Sequence, residues 1–419
     1  MDRVTEGVPA ILGGIPVCDA AAWPRWPQWD DGERQRLLEV LDSGRWWTGD
    51  GDVAARFAGE FATYHNAEHG IPVTNGTHTL EAALAACGVG DGDEVIVPAC
   101  TFVATAGAVL AVNATPVIVD VDADSLCIDV EAVRAALTER TKAVIAVHVA
   151  GATADIDALL ALCSDGGLHL IEDCAHAHGS RWRDRGVGSF GSFGSFSFQQ
   201  SKLMTAGEGG VLLCNDPLLA ERAESYINCG RVPGGPTYHH ETYGSNLRMT
   251  EWQGAVLTAQ LRRYSEQLET RTARAAQLRG ALAAMNGVRA QVRDERLTAQ
   301  GYYYFVFHYR ADAFAGLPLR GFEAALEAEG VPLGTSYPSL TTLALFQHDE
   351  MPPRIRAPRV AARLTPCPRA EHIAASTVWL EHRTLLASDD EVRGITRAIE
   401  RIQAHAVDIV QMMGANVAG

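Results

Sequence analysis

FSFQQSKLMTAGEGG, residues 196–210, contains Lys202, and the 419-residue chain has only one other lysine, Lys142; every other basic residue is arginine. Both side chains are cations at neutral pH, but a desolvated lysine ammonium can lose its proton and guanidinium effectively cannot. The neutral amine is a nucleophile able to condense with an aldehyde. A bland alternative is a surface lysine left over from a composition biased toward Ala, Arg and Gly. The neighbours of Lys202 have to separate the two.

Working outward, SFSF at 195–198 and GGVLLCN at 209–215 predict two strands flanking the Lys202 loop. Upstream, EVIVP at 94–98, TPVIVDVD at 115–122, KAVIAVHVAG at 142–151 and LHLIEDCAHAHG at 168–179 have the apolar runs of buried strands. Between them THTLEAALAACG at 77–88, VEAVRAAL at 130–137 and DIDALLALC at 155–163 carry helical spacing. Such alternation predicts an α/β fold, a mostly parallel sheet with helices on both faces and ligands at the carboxyl ends of the strands. GSFGSFGSF at 188–196 is too brief for a structural repeat and predicts a tight connection into the SFSF strand. A long helical run at 250–285 leads to a second strand signal, YYYFVFHYR at 302–310. A helix at 322–330, a Pro-rich loop at 337–369 and the helix DDEVRGITRAIERIQAHAV complete a smaller C-terminal α+β domain. The expected division is 1–270 for the N-terminal segment and large domain and 271–419 for the small one.

Composition is that of a globular protein, 47% hydrophobic and 21% charged. The net charge of -16 argues against nucleic acid or an anionic membrane as partner. An anionic ligand then needs local backbone N–H groups and a few placed cations. Nine scattered cysteines without a C-x-x-C pair give neither a disulfide framework nor a metal site. The N-terminus lacks a secretory pattern, and no run of ~18 apolar residues occurs, so a cytoplasmic location is expected.

Three motifs bear on Lys202. Asp173 follows the strand LHLIE and opens the turn DCAHAHG, where a carboxylate can keep a pyridine nitrogen protonated or simply cap a helix. In TNGTHTLEAAL at 74–84, Asn75, Gly76 and Thr77 precede a helical run and present free N–H groups to an anion; any helix start also needs a cap. In PACTFVAT, Phe102 follows a strand, placed either to stack on a heterocycle or to fill a core.

Taken in order, the anion cradle, the aromatic, the strand-end Asp and Ser-Phe-x-x-x-Lys followed by Gly-Glu-Gly-Gly closely resemble the DegT/DnrJ/EryC1/StrS family over residues 25–405. The resemblance implies the fold of aspartate aminotransferase-like, fold type I enzymes and pyridoxal 5′-phosphate (PLP) as cofactor. It implies that Lys202 carries PLP as a Schiff base, that Asp173 pairs with the pyridinium nitrogen and that Phe102 stacks on the ring. Gly76, Thr77 and Ser197 match the family's phosphate-binding positions, and His176 falls beside the 3-hydroxyl. GSNLRMTEWQGA at 244–255 resembles a motif whose Asn, here Asn246, reaches the neighbouring subunit's cofactor, which implies a homodimer with shared active sites. TSYPSLTTLALF, with Tyr337, is similar to the substrate loop but lacks its usual flanking histidines; Gln199 stands where some members have His.

The Trp-rich start, VWLEHRTLL at 378–386 and QQSKLMTAGEGG resemble one subgroup, the aminotransferases of inosose-type ketocyclitols together with 3-amino-5-hydroxybenzoate synthases. For Trp46 and Trp47, substrate contact stands level with core packing or a dimer contact. Arg231 and Arg248 are candidates for a donor carboxylate, or for structural ion pairs. The expected activity is transfer of an amino group from glutamine or glutamate to a keto sugar or ketocyclitol. The alternative is a PLP-dependent dehydratase or aromatising synthase of the aminobenzoate type, using the same lysine. A noncatalytic relative would dispense with the Schiff base. A nicotinamide dehydrogenase is excluded, because no G-x-G-x-x-G follows a strand.

Overall fold

The computed structural model describes residues 7–236, 238–347 and 362–417. Seven strands of the large sheet come from the first 214 residues: β1 (His69–Val73), β2 (Glu94–Pro98), β3 (Thr115–Val119), β4 (Thr141–Val147), β5 (His169–Asp173), β6 (Phe193–Ser197) and β7 (Gly210–Cys214). Later come β8 (Val288–Ala290), β9 (Tyr304–Tyr309), β10 (Leu333–Gly334), β11 (Arg363–Leu364) and β12 (Thr377–Glu381). The large sheet runs β1-β7-β6-β5-β4-β2-β3-β11. Only β7 opposes its neighbours, β1 and β6. That reversal follows from the quoted stretch: β6 ends at Ser197, the chain loops through Lys202, and β7 returns with Gly210 opposite Ser197.

The helices between these strands pack against the sheet because their apolar residues recur at helical spacing. Leu80, Ala83 and Leu84 of Gly76–Ala86 and Val109 of Ala104–Ala111 join the valines and isoleucines of β2 to β5 in one core. The smaller sheet, β8-β9-β12-β10, is antiparallel throughout. Its Phe305, Phe307, Val378 and Leu380 pack against Phe322 and Leu326 of the helix Leu319–Ala328 and Ile395 and Ile399 of the helix Asp389–Ala404.

The helix Glu251–Ala283, 33 residues long, serves both bodies. Leu257 and Tyr264 lie in the aromatic core with Phe57, Phe61 and Phe198, whereas Ala275, Leu278 and Leu282 lie under the small sheet. Two traffic lines cross this division: Cys18 and Trp23 pack into the small core, and β11 pairs in parallel with β3 of the large sheet.

The strands expected on either side of Lys202 and upstream of it are all present, as is the α/β architecture with its second body. Among the elements that escaped the sequence pattern are β1 and β11. β1 contains Pro72, which is compatible with a strand here because β1 stands at the edge of the large sheet, paired along its length with β7, and only its end, Val73, bridges a further residue, Arg248, among the described residues. The Pro-rich stretch expected as loop over 337–369 instead contains β11 and the start of the helix Pro368–Ser376; its residues 348–361 lie outside the described residues.

Candidate active site

A cavity of about 840 Å³ opens where β2, β4, β5 and β6 end, lined there by Thr101, Val147, Asp173 and Ser197. Lys202 is the one lysine or arginine among the described residues that line it. Its Nζ lies 4.3 Å from the centroid of the Tyr303 ring, over the aromatic face, a position that favours a cation.

Asp173 is buried at the end of β5 and faces no cationic partner at ion-pair distance among the described residues. Its oxygens accept hydrogen bonds from Thr105 Oγ1 at 2.9 Å and from the Ala175 N–H at 3.2 Å. Burial pushes its pKa above the ordinary carboxylate value, and the opposing pull of Ala175, Thr105, Lys202 and His148 does not restore it. No helix follows Asp173, so the capping alternative falls away. A buried carboxylate in this condition lacks a positive partner, which a protonated ring nitrogen would provide.

The anion cradle is equally concrete. Asn75 caps the helix Gly76–Ala86, its Oδ1 accepting from the His78 N–H at 2.9 Å. The N–H groups of Gly76 and Thr77, at the first two helical positions, are left for a ligand. A Cβ on Gly76 would come within 2.6 Å of Ser197 Cβ, so only glycine lets the helix start meet β6. Ser197 and Thr77 add hydroxyls to the cavity wall. Phe102 is 56% exposed at this wall and 6.4 Å from the Tyr337 ring, so it does not fill the core. Together these features fit a planar, phosphorylated pyridine.

His176 is buried beside the same space, and its Nδ1 accepts from the Ala150 N–H at 3.3 Å. Nε2 therefore carries the proton and donates to the Tyr337 oxygen, 3.1 Å away. Burial, then the neighbouring Lys202, drives the His176 pKa well below its usual value, in keeping with this neutral tautomer. Tyr337 stays protonated, its pKa raised by burial, so its O–H remains a donor toward the cavity. Gln199 lines the cavity too, but its Oε1 is occupied by the Ser201 N–H and O–H at 2.9 and 2.7 Å.

Four expected residues do not line this cavity. Trp47 pairs with Thr250 and lies under Arg248, whose guanidinium is 5.6 Å from its ring. Arg248 and Arg231 both donate to Asn228 Oδ1, at 2.8 and 2.9 Å, and Asn246 pairs with Asn228. They form one cluster, with Trp46 and Trp47 each about half exposed on its border. Conversely, Thr105, Tyr303, Tyr304, His78 and Glu208 reach the cavity without having been expected there. For Thr105, His78 and Glu208 the available signal was their position within the quoted motifs; Tyr303 and Tyr304 stood only in a strand pattern.

Behind the site, His148, Glu172 and Cys174 approach within 4.8 Å of one another. Both oxygens of Glu172 are already taken, by His148 and by the N–H groups of Gly188, Phe190 and Gly191. No helix among the described residues is long and apolar enough to cross a membrane.

A fold type I α/β enzyme with an amine facing a buried carboxylate across an anion cradle belongs to the class of PLP-dependent aminotransferases. The chain is a member of the DegT/DnrJ/EryC1/StrS aminotransferase family, whose profile matches residues 27–400. It is 40% identical over 415 residues to the L-glutamine:2-deoxy-scyllo-inosose aminotransferase of Micromonospora echinospora, covering 94% of this chain and 98% of that one. It is 39% identical over 389 residues to the 3-amino-5-hydroxybenzoate synthase of Amycolatopsis mediterranei, covering 92% and 99%. A crystal structure of 3-amino-5-hydroxybenzoic acid synthase superposes with a TM-score of 0.82 at 38% identity, over 94% of this chain and 99% of that one.

Proposed function

We propose that this enzyme transfers the amino group of glutamine or glutamate to the ketone of a free, polyhydroxylated ring of the scyllo-inosose type, in the making of an aminocyclitol. The observation that carries this is the lining of the cavity. Apart from Lys202 it offers no lysine or arginine among the described residues, but it offers the hydroxyls of Thr335, Ser336, Tyr337 and Tyr304. Such a wall suits an uncharged polyol and gives a diphosphate little to hold. The likeness to the inosose aminotransferases supports the same substrate class.

The residues take their parts as follows. Gly76 and Thr77 N–H groups with Ser197 would hold the phosphate of PLP, Phe102 would cover the ring, and Asp173 would face its nitrogen. When bound, PLP supplies an electron sink that makes the α-proton of an amino acid acidic. Lys202 would hold the cofactor, and its freed Nζ would take the proton from the donor Cα and give one to the carbon that receives nitrogen. Asp173 keeps the charge that favours this in place beforehand. Tyr337 donates its O–H to the substrate while His176 fixes it.

The cluster of Asn246, Arg231, Arg248 and Trp47 would complete the pocket of a second copy in a homodimer. The exposed Trp46 and Trp47 support that assignment. Residues 1–270 would form the cofactor-binding body and 271–419 the smaller one, apart from the exchanges at Cys18, Trp23 and β11.

The test is product analysis with glutamine and 2-deoxy-scyllo-inosose. The expected product is the amine, with amino transfer abolished in Lys202→Ala. An ultraviolet-absorbing aromatic acid from a keto or amino ring precursor would favour the aminobenzoate alternative, and failure of every ketocyclitol to accept nitrogen would overturn the proposal.

A further inference from the structure

Ser201, the residue before Lys202, is gripped from outside its own loop. Its carbonyl oxygen lies 3.0 Å from Nε2 of His382, which directly follows β12 of the small sheet. Its hydroxyl lies 2.7 Å from the Tyr303 oxygen, just ahead of β9. The Gln200 carbonyl accepts from the Trp26 indole at 3.1 Å. The segment that presents Lys202 is thus tied to the small sheet and to the N-terminal segment.

The directions of these bonds can be worked out. The Ser201 hydroxyl donates to Gln199 Oε1, so the Tyr303 O–H must be the donor to Ser201. Nδ1 of His382 faces Nη2 of Arg271 at 3.4 Å. Guanidinium only donates, so Nδ1 must be the lone-pair nitrogen and Nε2–H must donate to the Ser201 carbonyl. Burial, then the charge of Arg271, holds the His382 pKa well below its usual value. Arg271 is itself fully buried on the helix Glu251–Ala283, without a carboxylate partner among the described residues. Its guanidinium lies against the rings of Trp26 and Tyr264, 5.7 and 5.9 Å from their centroids. Its Nε and Nη1 have no hydrogen-bond partner among the described residues, and among these the bond to His382 is the one directed contact the charge makes.

The same Tyr303 that holds the Ser201 hydroxyl presents its ring to Lys202 Nζ, packs tilted against His176 at 4.2 Å and stacks on His382 at 5.9 Å. We propose that Arg271, His382 and Tyr303 form a clamp on Ser201 that sets where the Lys202 amine points. His382, with its tautomer fixed by Arg271, and Tyr303 are positioning residues for the amino transfer. The inference rests on Lys202 being the amine that takes the cofactor.

The two-lysine composition makes the clamp measurable without turnover. Apoprotein is mixed with PLP, reduced with borohydride at timed intervals, and the label on Lys202 and Lys142 is quantified by peptide mass. Misaiming a reactive group costs ~10–100-fold when its supporting contacts are lost. Tyr303→Phe and His382→Leu are therefore expected to slow labelling of Lys202 ~10-fold or more and to lower kcat similarly. KM for glutamine should stay within ~3-fold, and labelling of Lys142 should not change. His382→Gln, whose amide can donate to Ser201 and accept from Arg271, should recover most of the Lys202 labelling rate. A folded His382→Leu protein that labels Lys202 as fast as the wild type overturns the clamp, as does a Gln variant no better than Leu. Should the Leu variant not fold, Tyr303→Phe labelling at the wild-type rate overturns it alone. Failure of the underlying assignment looks different: the wild type itself would then take no label at Lys202.

Discussion

Glu172 and Asp173 are consecutive, both buried at the end of β5, and they point to opposite faces of the sheet. On one face Glu172 receives N–H groups from Gly188, Phe190 and Gly191 at 2.8 to 2.9 Å and faces His148 at 3.2 Å. Burial alone would raise its pKa, but His148 and the backbone donors outweigh that and hold it below the usual carboxylate value. On the other face Asp173 has two donors and no ion-pair partner among the described residues, and burial raises its pKa. One strand end thus contains a carboxylate whose charge is fully answered and one whose charge awaits an answer. The first ties a loop to the sheet; the second is the place where a ligand's charge becomes useful.

The comparison breaks most visibly at Asp173→Asn. Turnover with any donor should fall ~10²–10³-fold, the usual loss when a charge facing the reacting group is removed. In the apoprotein the same change should raise stability, by about 1–3 kcal/mol at pH 8, because it removes an incompletely paired buried charge. The sign with pH follows. A carboxyl whose pKa is raised by folding contributes stability while protonated and loses it as pH climbs through the folded value. Urea unfolding of wild-type apoprotein should therefore weaken over that rise, and the Asn variant should lack this component. An Asn variant less stable than wild type at pH 8 would mean that Asp173 is as well satisfied as its neighbour.

At Glu172→Gln the expectation reverses. Removing the charge that three N–H groups and His148 converge on should cost about 3 kcal/mol of stability, read by urea unfolding at pH 7. Turnover per folded, cofactor-loaded molecule should change less than ~10-fold. Here the folded pKa is depressed, so the wild-type contribution is present above the unfolded value of ~4.3 and is lost as pH falls through the folded one. The two neighbours should thus leave pH signatures of opposite sign, and finding the same sign for both would collapse the distinction.

Asp173 was legible in the sequence and Glu172 was not, for a physical reason. A ligand-facing group stands at a strand end in a recognisable order with Gly76, Phe102, Ser197 and Lys202, each at the mouth of a local element. The partners of Glu172 come from GSFGSFGSF, which reads only as a tight connection. The close passage of that segment over β5, with Gly191 too near the Leu170 carbonyl for any Cβ, is a tertiary fact. The clamp on Ser201 was hidden likewise, since Trp26, Arg271, Tyr303 and His382 are far apart in sequence, and the local pattern that each belongs to says nothing of their meeting. Asn246 was legible as part of a motif that speaks of a neighbouring subunit, and in one chain it pairs with Asn228, to which Arg231 also donates, while Trp47 pairs with Thr250. β11 is two residues long, below what any periodicity can show.

Thr105 offers the finest adjustment of the same contrast. Its Oγ1 donates to Asp173 at 2.9 Å and is paired with Thr101 Oγ1 at 2.8 Å, and it is one of only two direct donors the carboxylate has. Thr105→Val keeps the shape and removes the donor, which should be worth about 1 kcal/mol. The carboxylate would then lean more heavily on the positive charge of a bound ring nitrogen. The expected outcome is a ~5-fold slower turnover, together with a shift of the apoprotein's Asp173-linked stability loss to higher pH. A structural role alone would lower stability equally at all pH values, so urea unfolding from pH 5 to 9 tells the two apart. If the variant loses stability uniformly and keeps its turnover, Thr105 belongs with the answered side of β5, and the contrast between the two carboxylates rests on Ala175 and the ligand alone.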